Sequence, residues 1–273
     1  MGFRGSWANT HRATCRFHLP RGRLRPQPRL TPWEVQTVTT TTGLLRWAES
    51  KRQLLPRLAQ FWQASDSRYV EPFAGSACLF FHLQPREAVL GDLNTDLMAT
   101  YRTVRSSPDA VAARLSEMPS ADEAFYYKMR DEVTSPLSAP DRAARFIYLN
   151  RYCFNGLYRT DLNGHFNVPF GGDRTGLLPS RSQLRKIAYR LRGQTLVNGD
   201  FGSTLRHVRQ GDFVYLDPPY WVEGRRVFRE YSSSVFAEGD LKRLKRWLTH
   251  LKERGIAFVL SYAHYRRARL LGR

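Results

Sequence analysis

The sequence is short of cysteine, of lysine and of long apolar runs. Its three cysteines, Cys15, Cys78 and Cys153, are odd in number and far apart, which excludes a disulfide framework and any CxxC pair. The longest strongly apolar stretch, Ile256 to Leu260, is one strand long, so no membrane span or membrane partner is expected and the predicted compartment is the cytoplasm. The seven histidines are scattered without ligand spacing, and no metal is expected. What is abundant is positive charge: 43 Lys plus Arg against 24 Asp plus Glu, a net +19. An excess of this size attracts polyanions, nucleic acid ahead of a membrane surface. Only six of the basic residues are lysine, however, and arginine bias can also follow codon usage. A hydrophobic share of 42% excludes a wholly disordered chain, and 273 residues suffice for one large domain with a sizeable insertion.

Residues 1–40 stand apart. They carry seven arginines against a single acidic residue, Glu34, and show no apolar periodicity, so a flexible basic arm is expected there. Transit-peptide composition, a myristoylation-like Met1-Gly2 with Ser6, and a zinc trio of His11, Cys15 and His18 are competing readings. The last lacks a fourth ligand nearby. From Gly43 onward the periodicity alternates. Tyr69 to Phe73 reads as a strand, Gly75-Ser76-Ala77 as a turn into a helix, and Ala88 to Leu90 as a strand closing on Gly91-Asp92. Residues 94–153 read as helices. Strands return at Thr195 to Asn198, Phe213 to Leu216 and Ile256 to Tyr262, with a helix between the last two. This predicts an α/β fold whose parallel sheet has helices on both faces and a grafted, mainly helical second region.

The chemistry concentrates at Asp217-Pro218-Pro219-Tyr220, directly after the strand Phe213 to Leu216. Ligands of open α/β sheets bind at strand carboxyl ends, and two prolines make the following segment stiff and rich in acceptors. The Asp217 carboxylate and the Pro218 carbonyl can each accept one N–H of an exocyclic amine, while Tyr220 offers a stacking face. An amine held this way can attack a methyl sulfonium. An ordinary Asp-Pro turn with a packed tyrosine is the plain alternative. A second element runs from Glu71 through Phe73 and Gly75 to Ala77, where small residues let the backbone approach a ligand and Asp92, 17 residues beyond Gly75, suits ribose hydroxyls. Between these motifs, Asn155-Gly156 and Asn163-Gly164 are turn pairs, and Phe166-Asn167-Val168 alternates like a hairpin strand. A hairpin bearing Asn155, Tyr158 and Arg159 is suited to probing a duplex, Arg reading guanine or phosphate and Tyr stacking where a base leaves.

Taken together and in this order, these motifs resemble the Dam-like family of DNA N6-adenine methyltransferases, over about Leu45 to Ala263. Trp47-Ala48-Glu49-Ser50-Lys51-Arg52 is similar to the family's opening W-A-G-G-K-R. Phe154 to Arg159 and Gly164 to Gly171 are similar to its recognition hairpin, and Asp200-Phe201 and Asp217 to Tyr220 complete the set. The resemblance implies a Rossmann-like sheet at residues 41–100 and 195–273, and a target-recognition domain at 101–194 carrying a β-hairpin. It implies S-adenosylmethionine as methyl donor, double-stranded DNA as substrate and, as a further partner, a cognate restriction endonuclease. It assigns cofactor contacts to Trp47, Lys51, Phe73, Gly75, Asp92, Asp200, Phe201 and Asp217. Asp217, Pro218, Pro219 and Tyr220 become catalytic, and Asn155, Tyr158, Arg159, Asn167 and Tyr231 become DNA contacts, Tyr231 closing on a flipped base. Glu49-Ser50 replaces a glycine pair of the family, and the chain stops at Arg273, where the family continues with a helix and a strand hairpin. From that shortening an exposed apolar sheet edge is expected. Two other readings are a non-catalytic DNA-binding relative and a methyltransferase acting on an RNA or protein amide.

Overall fold

The computed structural model describes residues 13–20, 43–47, 54–63, 65–132, 136–161, 163–219 and 236–263. Six strands, β1 (Ala13–His18), β2 (Tyr69–Glu71), β3 (Ala88–Asp92), β4 (Thr195–Asn198), β5 (Phe213–Leu216) and β6 (Ala257–Ala263), form one sheet in the order β1-β6-β5-β2-β3-β4. All neighbours from β6 to β4 are parallel, and β1 alone is antiparallel. Alternation along the strands builds two cores. Tyr69, Phe213, Tyr215, Ala257 and Val259 face one way, and Val70, Val214, Leu216, Phe258 and Leu260 face the other. The second face is covered by α8 (Phe201–Leu205) and α9 (Glu238–Glu253) through Leu205, Leu244, Leu248 and Leu251.

The first face receives α1 (Leu55–Ala59), α2 (Cys78–Leu83) and α3 (Thr95–Ser106), and outside them α4 (Pro108–Ser116), α5 (Glu123–Asp131), α6 (Ala139–Tyr152) and α7 (Arg181–Leu191). α3, α5 and α7 begin where short polar side chains take an orphan N–H: Asn94 accepts from Leu97 N at 2.9 Å, Asp122 from Phe125 N at 2.7 Å, and Ser180 forms a capping box with Gln183. Leu97, Tyr101, Val104, Ile147 and Leu184 belong to the same apolar cluster as the sheet face, so the helical segment is packed onto the sheet. Among the described residues no helix is long and apolar enough to cross a membrane.

Two expectations are corrected at the sheet's edge. Within the segment read as a flexible arm, Ala13–His18 is a strand, paired with β6 from Ala13↔Ala263 to His18↔Phe258. The edge of β6 expected to lie bare is therefore covered. An edge strand needs few apolar residues because its outer side meets water, which is why no periodicity announces it. Phe17 supplies the anchor, its ring 4.8 Å from that of Phe61, and the His18 ring lies 5.5 Å from that of Phe258.

Candidate active site

The strand order reverses direction at β2, which lies between β5 on one side and β3 on the other. A crevice at the carboxyl ends of such strands is where ligands of doubly wound sheets bind. The residues reaching it are Glu71 to Phe73 after β2, Asp92 at the end of β3, Asp200 and Phe201 after β4, and Asp217 to Pro219 after β5. Pro218 is buried, and Asp217 and Pro219 are half-buried.

Asp92 organises the turn after β2. Its Oδ2 accepts the Gly75 N–H at 2.9 Å and its Oδ1 the Asn94 N–H at 2.9 Å. Burial pushes its carboxyl above the usual range, while the backbone N–H groups of Asn94, Gly75 and Leu93 pull the other way. Acceptor capacity remains on this carboxylate for a further donor. Gly75 itself has φ +47°, and a Cβ there would lie 2.9 Å from Trp47 Nε1, so glycine meets both a backbone and a space requirement. Trp47 thus roofs the turn. Its own position comes from α6, where buried Arg151 donates to the carbonyls of Gly43 and Leu44 at 2.7 Å each. Asn150 brackets the backbone of Arg46 with bonds of 2.8 and 2.6 Å. Neither Asn150 nor Arg151 stood out in the sequence, because polar residues inside a helix read as a solvated face.

Glu71 is 2% exposed, and its Oε2 has no hydrogen-bond partner. Burial pushes its carboxyl well above the usual carboxylate range; the Tyr69 hydroxyl opposes this, and the nearby Asp217 and Asp92 carboxyls add to it. A buried acceptor left unsatisfied in a crevice rimmed by two further carboxyls is a site that favours a cation or a hydrogen-bond donor. On the opposite wall, Phe73 stacks on Phe201 with ring centroids 5.4 Å apart, and Phe236 meets Phe73 edge-on at 6.2 Å. Asp200 caps α8, its Oδ1 accepting from Ser203 N at 2.9 Å and from Ser203 Oγ at 3.0 Å. Among the described residues no cluster of three His, Cys, Asp or Glu side chains could hold a metal ion.

Residues 47–271 match the D12 class N6 adenine-specific DNA methyltransferase family. The chain belongs to that family. It is similar to the type II methyltransferase M1.LlaDCHI of Lactococcus lactis subsp. cremoris, with 32% identity over 224 residues, 79% of each chain. It is similar to the type II methyltransferase M.MjaIII of Methanocaldococcus jannaschii, with 32% identity over 241 residues, 81% of this chain and 83% of that one. The retron Ec67 DNA adenine methylase of Escherichia coli is 31% identical over 223 residues, 80% of this chain and 76% of its own. The strand β1 lies ahead of the family match.

An adenine-specific DNA methyltransferase is expected to present a recognition hairpin, and the 153–171 segment is less regular than predicted. It is tied by two isolated antiparallel bridges, Cys153↔Phe170 and Thr160↔Phe166, without a strand at 166–168. Arg159 and Asn167 are brought together: Arg159 Nε donates to Asn167 Oδ1 at 2.7 Å and Nη2 to the Asn167 carbonyl at 3.2 Å. Asn155 is exposed at φ 53°, beside Phe154, whose ring is faced by the Arg174 guanidinium at 5.7 Å. Arg174 was not singled out by its sequence context.

Tyr158 departs from the expectation of a surface aromatic. It is 7% exposed and stacks on Trp47, centroids 6.1 Å apart at 11° between planes, with its hydroxyl donating to Asp96 Oδ2 at 3.4 Å. Placed there it joins the hairpin to the roof of the Gly75 turn rather than presenting a face to a base. Its partner Trp47 is distant in sequence, so no local pattern signals the burial. Lys51, Tyr220 and Tyr231, with Glu49 and Ser50, lie outside the described residues.

Proposed function

We infer that the protein transfers a methyl group from S-adenosylmethionine to N6 of an adenine flipped out of double-stranded DNA. The observation that carries this reading is the placement of Asp217-Pro218-Pro219 at the carboxyl end of β5, beside the β2 crevice with its unsatisfied Glu71 carboxyl. The crevice fits the cofactor. Asp92 retains acceptor capacity for ribose hydroxyls, the Phe73 and Phe201 rings offer a flat wall for adenine, and Asp200 beside them can accept from its amino group. Trp47, Gly75 and Lys51 belong to the methionine end, where the Lys51 ammonium suits the cofactor's carboxylate.

Bound there, the cofactor supplies a sulfonium methyl as the electrophile. The chain prepares the acceptor. Asp217 and the Pro218 carbonyl each take one N–H of the target amine, which holds the nitrogen lone pair out of conjugation and pointed at the methyl. The fixed φ of Pro218 and Pro219 keeps these acceptors in place without reorganisation. As the new N–C bond forms, the sulfonium S–CH3 bond would break with its electron pair going to sulfur to leave a neutral thioether, and one amine proton leaves through the Asp217 carboxylate. Because the amine lies inside a duplex, the base must be extruded at a cost of a few kcal/mol, with Tyr220 and Tyr231 stacking on it.

Residues 101–194 form the target-recognition region, in which Asn155, Arg159 and Asn167 read the site and exposed Phe154 with Arg174 meets the backbone. Tyr158 acts there by supporting the hairpin. Such an enzyme works in the cytoplasm on chromosomal or phage DNA, paired with a restriction endonuclease. The test is to incubate the protein with labelled S-adenosylmethionine and unmethylated plasmid and to map N6-methyladenine. Label at adenine N6 in DNA is expected. Label in RNA or protein alone, or none despite tight duplex binding, would contradict the reading.

A further inference from the structure

The α9 helix begins just beyond the catalytic segment, and its arginine at position 243 reaches back to the wall of the crevice. Arg243 pairs through Nη2 with Asp200 Oδ2 and through Nη1 with Asp240 Oδ1 at 3.0 Å. Its guanidinium lies 4.9 Å from the centroid of the Phe201 ring. Since Asp200 Oδ1 is already held by Ser203, both oxygens of the carboxylate are fixed, and the ring beside it is in contact with both Arg243 and Phe73. Arg243 thus touches both halves of the Asp200-Phe201 pair from another element of the fold.

The pair is too exposed to be a stability device. Arg243 and Asp200 side chains are 39% and 35% exposed, and ion pairs of that exposure contribute little to folding. What the arrangement does supply is direction. A carboxylate with one oxygen capping a helix and the other on a planar guanidinium cannot rotate, so its remaining lone pairs point to a set place beside the Phe201 face. Burial pushes the Asp200 carboxyl upward, but the bonds from Arg243 and Ser203 outweigh it and hold the group below its ordinary value, so it stays an acceptor at neutral pH.

We propose that Arg243 is a positioning residue for cofactor recognition, fixing Asp200 as the acceptor for the adenine amino group and Phe201 as its stacking wall. This rests on the reading of the crevice as a S-adenosylmethionine site. The dependence is on a planar, two-sided cation, so lysine replaces it only in part.

The experiment measures Kd by calorimetry for S-adenosylhomocysteine and for its inosine counterpart, which carries a carbonyl in place of the amino group. Wild-type protein, Arg243→Gln and Arg243→Lys are compared, with melting temperatures recorded in parallel. Wild type should prefer the adenine form. Arg243→Gln should weaken that form roughly tenfold, bring the preference close to one, and leave the melting temperature within a degree or two. Arg243→Lys should fall between. Unchanged affinity and preference in Arg243→Gln would overturn the assignment while leaving the cofactor site standing. A loss that tracks a falling melting temperature with the preference intact would show a merely structural role and overturn it too. Failure of the wild type to bind S-adenosylhomocysteine would instead overturn the cofactor reading, and this inference with it.

Discussion

At the amino end of the sheet the buried Asp212 carboxylate receives Arg68 through two bonds of 3.1 and 2.8 Å, with Arg209 N–H adding a third at 2.8 Å. At the carboxyl end Glu71 is buried as deeply, yet among the described residues its Oε2 has no hydrogen-bond partner, and the Asp217 and Asp92 carboxyls act on it. Both ends belong to the same strands and are equally dry. A carboxylate whose acceptors are filled from within the chain holds the fold together, whereas one left open at a strand's carboxyl end stores an unfavourable interaction that a ligand can relieve. On the function proposed above, charge serves stability at one end of the sheet and chemistry at the other.

The comparison breaks most visibly at Asp217. Asp217→Ala should lower methyl transfer roughly 100- to 1,000-fold or more, read by tritium incorporation into DNA, without a matching loss of duplex binding in a gel-shift titration. Next comes the opposite end. Asp212→Asn leaves the half-buried Arg68 guanidinium without its charge partner, and losing a charged hydrogen-bonded pair of this kind should cost about 1.5–3 kcal/mol. Urea denaturation should show that loss, while transfer per folded molecule at low temperature stays near wild type.

Glu71→Gln should act in a pH-dependent way. Because the folded-state pKa of Glu71 is raised above its ordinary 4.5, its contribution to stability is full below that value and is lost as pH rises through the raised one. The amide removes this loss, so the cofactor-free protein should melt higher than wild type at pH 8 and the same near pH 4, with weaker preference for the cationic cofactor over its neutral product. The smallest effect is expected at His18, whose pKa is lowered from 6.5 by burial and then by the charge of Lys252. Protonation is thus resisted in the docked strand, and the associated stability is present above about pH 6.5 and lost as pH falls through the lowered value. Protection factors of the β1 amides, taken as exchange rates normalised to the intrinsic rate at each pH, should fall at pH 5.5 relative to 7.5, and His18→Gln should abolish that difference.

Much of this was legible without coordinates. Thr195–Asn198 and Phe213–Leu216 have the bounds that their sequence predicts, because short apolar runs between Gly and Asp leave little freedom. Asp92 and Asp217 follow from the rule that sites lie after strands, whereas Asp200 is assigned only by the family resemblance. What escaped depends on distant partners. β1 is recognisable only once β6 is beside it, and Tyr158 is buried only because Trp47 covers it. Arg243 sits on an amphipathic helix rich in basic residues, where nothing local distinguishes the one that turns toward Asp200 from those facing water.

The division of labour between the two ends of the sheet is tested most directly at a single atom pair, by Asp217→Asn in single-turnover methyl transfer with S-adenosylhomocysteine affinity and melting temperature measured on the same preparation. The amide keeps the shape and one acceptor oxygen but loses the negative charge and the place for the amine's proton. The account predicts a transfer rate lower by roughly 100-fold or more with affinity and melting temperature close to wild type. A variant that transfers at the wild-type rate, or one that loses activity only by unfolding, would contradict it.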